Sequence, residues 1–140
     1  MAQRLTAPPN TKEYGIPSVL LQSCAEVRQL MEVGAAEFHP RPKVDSLLIE
    51  IRFDSGKISD DQFKPLRDTV RAAFSARRKT LSNNLTASLP NDLCGTTDKS
   101  RKKEFVLASL EAAGLKPEIR AENITIEQFR LLARQLQDRS

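Results

Sequence analysis

A chain of 140 residues, 39% apolar and 29% charged, has the size and composition of one soluble domain and can bury roughly 70% of its unfolded surface. No apolar run approaches the ~20 residues of a membrane span, and the first fifteen residues lack the apolar core of a signal peptide. Cys24 and Cys94 stand far apart in no metal-type spacing, which fits free thiols in a reducing cytoplasm, and the single His39 has no Cys or His partner at zinc-ligand spacing.

The net charge of +4 is unevenly placed. Residues 1–56 hold six basic and seven acidic side chains, residues 57–103 eleven and five, and residues 104–140 five and six. A basic middle zone in an otherwise near-neutral protein favours a polyanionic partner. With no Trp and one Tyr, any base-stacking platform is small.

Taken in order, AQRL has helical composition and is stopped by Pro8-Pro9-Asn10. A start of this kind fits a piece cut from a longer protein. Ile16 to Ala25 is a short helix with Pro17 in its first turn. Val27, Gln29, Met31 and Val33 alternate with Arg28, Leu30 and Glu32, which is a strand pattern. A proline-stiffened loop, FHPRPKVDS (38–46), leads to a second alternation, Leu47, Ile49, Ile51 and Phe53 against Leu48, Glu50 and Arg52. The two strands are expected to pair antiparallel. A lone two-stranded ribbon is marginal in water, so part of a larger sheet is expected to be missing.

From Ser59 the period turns helical. Ser59 to Gln62 fits a capping box, and Phe63, Leu66, Val70, Ala73 and Phe74 share a face. A second helix is expected over Thr80–Leu89, a loop over Asn91–Lys99, and a third helix over Ser100–Ala113 with Gly114 as its left-handed stop. Arg101, Lys102 and Lys103 crowd that helix's first turn against the macrodipole, which suggests another use for them. Lys116–Asn123 reads as a connector, and Thr125 and Gln128 form a capping box for the last helix. The chain is expected to divide into an α/β part over residues 1–56 and a helical part over residues 57–140.

The stretch that draws most attention is FSARRKTLSNNL (74–85). Arg77, Arg78 and Lys79 supply charge for phosphate, while Thr80, Ser82, Asn83 and Asn84 supply neutral donors for phosphate and sugar oxygens. A second reading stands beside it: a solvated helix end whose cations suit the C-terminal dipole. Arg71, on the polar side of the preceding helix, joins the same set, as do Arg101, Lys102 and Lys103. No Gly-rich phosphate loop, no GxGxG turn with an acidic ribose partner and no nucleophile–base pair appears in the chain.

Four stretches in order, AQRLTAPPNTKEYGIPSVLLQ (2–22), FHPRPKVDS (38–46), AAFSARRKTLSNNL (72–85) and GLKPEIRAENITIEQF (114–129), resemble the C-terminal half of the S-adenosylmethionine-dependent small-subunit rRNA adenine N6,N6-dimethyltransferases. The resemblance implies an α+β fragment: the last helix and β-hairpin of a Rossmann-like methyltransferase sheet, followed by a small all-α domain that binds rRNA. It also implies that Phe38 stacks on a flipped target adenine; Lys43, in the same loop, reads as a phosphate contact or as a solvated cation. The family's cofactor-binding glycine motif and its Asn-Leu-Pro-Tyr/Phe catalytic motif have no counterpart here. S-adenosylmethionine therefore belongs to the parent enzyme and none is expected on this chain, which is expected to bind small-subunit rRNA or a pre-ribosomal particle in the cytoplasm without methylating it. Self-association through the uncovered hairpin edge is expected. The alternatives are a non-enzymatic helical interaction module and a transcription-associated relative of the same superfamily.

Overall fold

The computed structural model describes residues 2–34, 46–53, 60–95 and 97–139. The elements run α1 (Ala2–Thr6), α2 (Ile16–Cys24), β1 (Ala25–Val33), β2 (Ser46–Phe53), α3 (Asp60–Ala73), α4 (Leu81–Ser88), α5 (Asn91–Cys94), α6 (Lys99–Ala112), a 3-10 turn (Ala121–Asn123) and α7 (Ile126–Arg139). This is an α+β arrangement. Among the described residues, none of the helices is long and apolar enough to cross a membrane.

β1 and β2 pair antiparallel as the alternation predicts, with Val27 opposite Ile51 and Gln29 opposite Ile49. A bulge between Gln29 and Met31 then breaks the alternation and sets Met31 opposite Leu48. The expectation that Val27, Gln29 and Met31 share one face fails there, because an extra residue shifts the side chains beyond it to the other face. Glu50 binds Arg28 at 3.0 Å and Arg52 at 2.8 Å. Those contacts, the Arg28 hydrogen bond foremost, hold its carboxyl below the usual range. Apolar side chains stay exposed on the hairpin, Met31 at 56% and Phe53 at 75%.

The core lies among the helices. Tyr14 and Val19, from before the hairpin, join Leu66 and Val70 of α3, Leu81 and Leu85 of α4, Val106 and Leu110 of α6, and Phe129, Leu132 and Leu136 of α7 in one buried cluster. The N-terminal segment and the helices after the hairpin thus share a core. Phe74 bridges the two, edge-on to Tyr14 with ring centres 6.1 Å apart and stacked on Phe129 at 5.8 Å.

Local capping chemistry sets several helix ends. Thr125 and Gln128 form the expected capping box, each accepting the other's backbone N–H, at 2.9 and 3.2 Å. Gly114 closes α6 at φ 73°, a left-handed conformation that glycine adopts without a Cβ penalty. Two boundaries differ from the sequence expectation. α6 is capped by Asp98, whose Oδ1 accepts the Ser100 amide at 2.9 Å. Its carboxylate also offsets the cations that follow. The expected loop after Pro90 contains α5, stopped by Gly95 at φ 72°.

Candidate nucleic-acid interface

α3 ends at Ala73, and Phe74–Lys79 is a turn and not the last stretch of the helix. The reading of Arg77, Arg78 and Lys79 as cations on a helix end is corrected accordingly. Asn84 fixes this turn. It is buried, and its Nδ2 donates to the carbonyls of Ala73 at 2.9 Å and Ala76 at 2.8 Å. Asn84 therefore serves the last carbonyl of α3 and one carbonyl of the turn and is not a donor for RNA.

The hydroxyls of the stretch are also engaged. Thr80 is the N-cap of α4 and accepts the Asn83 amide at 3.4 Å. The amides of Leu81 and Ser82 donate to the carbonyls of Ile119 and Pro117 at 2.7 and 3.3 Å. The start of α4 thus has its N–H groups occupied by the chain itself. Of the neutral donors read from the sequence, Asn83 stands exposed at the surface.

Arg77 reaches across 65 positions of sequence. Its Nη2 donates to the carbonyls of Lys12 at 2.7 Å and Tyr14 at 2.9 Å. It thereby pins the Asn10–Gly15 loop against the turn. The other side of that loop is pinned to the segment before α7. The Asn10 amide donates to the Glu122 carbonyl at 2.7 Å, Asn123 Nδ2 donates to Asn10 Oδ1 at 2.7 Å, and Tyr14 Oη donates to the Ile124 carbonyl at 2.7 Å. Asn10 adopts φ 69°, a left-handed conformation that Asn tolerates better than most residues.

Three loops thus converge on an open cleft of about 500 Å³ lined by Asn10, Thr11, Lys12, Arg77, Arg78, Arg120, Glu122 and Asn123. Four cations face one carboxylate there, and Lys12, Arg78 and Arg120 are exposed. Such a concentration of positive charge focuses field on polyanions.

The structure gathers Arg77 and Arg78 of the sequence-derived set into this cleft and leaves Arg71, Lys79, Arg101 and Lys103 exposed outside it. Arg101 lies 4.0 Å from the Asp98 carboxylate. Lys102 is the plain correction. It is 8% exposed, and its Nζ donates to the Leu89 carbonyl at the end of α4. Buried and hydrogen-bonded inward, it is not available to a phosphate. Its position was readable: Lys102, Val106, Ser109 and Leu110 follow helical spacing and form the buried stripe of α6. Phe38 and Lys43 lie outside the described residues. Sequence reasoning missed Lys12, Arg120, Asn10 and Asn123, which are far apart in the chain. The one local signal was Asn10 after two prolines, a candidate for positive φ.

Residues 1–137 match the family described as ribosomal RNA adenine dimethylase. The chain is 40% identical over 130 residues to the ribosomal RNA small subunit methyltransferase A of Desulfotalea psychrophila, covering 92% of this chain and 44% of the relative. It is 41% identical over 136 residues to the protein of that name from Lysinibacillus sphaericus, covering 95% and 43%. The chain thus spans less than half the length of these relatives. Its fold is that of part of a dimethyladenosine transferase from Plasmodium falciparum, with a TM-score of 0.78 at 21% identity over 99% of this chain and 55% of that one. The 23S rRNA methyltransferase ErmE gives 0.64 at 19% identity over 96% and 50%. With nearly its whole length matched, the chain belongs to the ribosomal RNA adenine dimethylase family.

Proposed function

We propose that this chain is the RNA-binding part of an rRNA adenine dimethyltransferase, holding small-subunit rRNA by its backbone in the cleft of Lys12, Arg77, Arg78 and Arg120. The observation that carries the reading is the convergence of those four cations from three separate loops. Scattered solvated cations need no such scaffold. In this reading the chain corresponds to the C-terminal portion of the enzyme. Residues 57–140 supply most of the helical RNA-binding unit, and residues 1–56 supply the end of the methyltransferase sheet together with the loop that brings Lys12 to the cleft. Phe38 is the aromatic laid against the target base, and Lys43 a nearby phosphate contact. The setting is cytoplasmic ribosome biogenesis.

The methyl donor of the family does not fit the residues present. A doubly wound sheet binds its nucleotide-like cofactor in a crevice beyond the carboxyl ends of parallel strands. The described residues hold one antiparallel pair, and the sequence has no glycine-rich turn with an acidic partner. No step through S-adenosylmethionine is assigned to this chain, whose part is to grip RNA.

Titrating a small-subunit rRNA fragment into the 140-residue chain at low and raised salt tests this. The expected result is binding that weakens steeply with salt, as counterion release from phosphates requires. Absent binding, or binding indifferent to salt, leaves instead a non-enzymatic protein-interaction module.

A further inference from the structure

We propose that the Asn10–Asn123 amide pair reads the edge of one unpaired base, so that the cleft is a nucleotide subsite with a base preference as well as a phosphate grip. This rests on the RNA-binding reading above. The two residues lie 113 positions apart, yet Asn123 Nδ2 donates to Asn10 Oδ1 at 2.7 Å inside the cleft. That single bond uses one lone pair of Asn10 Oδ1 and one Asn123 hydrogen. The Asn10 Nδ2 group and Asn123 Oδ1 have no other partner among the described residues, and both residues are exposed. A free amide donor and a free amide acceptor thus belong to one hydrogen-bonded pair, in a cleft that Arg78 and Arg120 also line and whose cations suit flanking phosphates.

The backbone supports a built feature. Asn10 is the sole non-glycine with positive φ among the described residues, and its own N–H is held by the Glu122 carbonyl. The left-handed backbone is tolerated there, and the Glu122–Asn123 segment holds both the Asn10 backbone N–H and its side-chain Oδ1.

The chemistry of the walls selects the base. A paired donor and acceptor matches adenine N7 with its N6 amine, the usual asparagine pairing, and matches N1 with N6 on adenine's other edge. Glu122, which lines the same cleft, adds an acceptor that welcomes an exocyclic amine and repels the O4 carbonyl of uracil. The subsite therefore takes an unpaired amino-bearing base, adenine foremost. It reads that base without altering it.

The test is the affinity of the 140-residue chain for eight-nucleotide rA and rU oligomers. The wild type is expected to prefer rA8 by roughly tenfold, on the order of one bidentate contact. Asn10→Gly keeps the positive φ and removes the amide, and Asn123→Ala removes the partner. Each is expected to bring the rA8 to rU8 ratio close to one. Arg78→Ala is expected to weaken both oligomers alike. Equal wild-type affinity for the two oligomers, with salt dependence intact, overturns the base-reading inference and leaves the RNA interface standing. A preference unchanged in both Asn variants does the same. If neither oligomer binds at low salt, the interface and the inference fall together.

Discussion

Tyr14 ties the N-terminal loop to the segment before α7 through one hydroxyl, whose partner is the Ile124 carbonyl. Tyr14→Phe leaves that carbonyl buried without a donor, so the variant is expected to lose about 1–3 kcal/mol of stability in a denaturant titration. Burial also pushes the Tyr14 phenol above its ordinary 10.0. The unfolded chain gives up this proton first, so stability is expected to fall as pH rises past the ordinary value. The Phe variant should lose that slope, and an unchanged alkaline transition would argue that other groups set it. Lys102 gives the opposite lesson about charge. Lys102→Met keeps the buried stem and removes the donor to Leu89, which is expected to cost about 1–3 kcal/mol while leaving RNA affinity unchanged. The α6 stripe made Lys102's burial legible, yet its charge suggested a surface role. The spacing decides, because a long side chain can bury its stem when its head finds a carbonyl.

Elements set by their own local residues were legible. The Thr125–Gln128 box, the Gly114 stop and the antiparallel hairpin each depend on neighbours within a few positions or on simple alternation. The bulge at Gln29–Met31 and the short α5 were not, since no turn residue marks the first and the second is a single turn between Pro90 and Gly95. The hairpin carries a prediction of its own. Met31, Phe53 and their exposed apolar neighbours leave a sheet surface that invites pairing. The isolated chain is expected to self-associate with rising concentration in sedimentation experiments. Phe53→Lys should shift it toward monomer, and a wild type monomeric at every concentration would refute this.

At the scale of the whole molecule, the sequence placed the basic zone but not the cleft. Arg77 and Arg78 lie in a run that charge alone picks out, whereas Lys12 and Arg120 sit in near-neutral stretches. They meet because Arg77 clamps the first loop and the Asn10 amide clamps the last connector, contacts that no local pattern encodes. The proposed RNA grip therefore depends on the shared core that holds the chain's two ends together around α3 and α4. The most direct measurement is the salt dependence of rRNA-fragment binding by the wild type and by a Lys12→Ala, Arg78→Ala, Arg120→Ala triple variant, each checked for folding by circular dichroism. The account predicts a folded variant with weaker binding to all RNA sequences and a log–log salt slope shallower by about 2, since each cation that neutralises a phosphate on a single strand contributes roughly 0.7. A folded variant with the wild-type slope and affinity would contradict it.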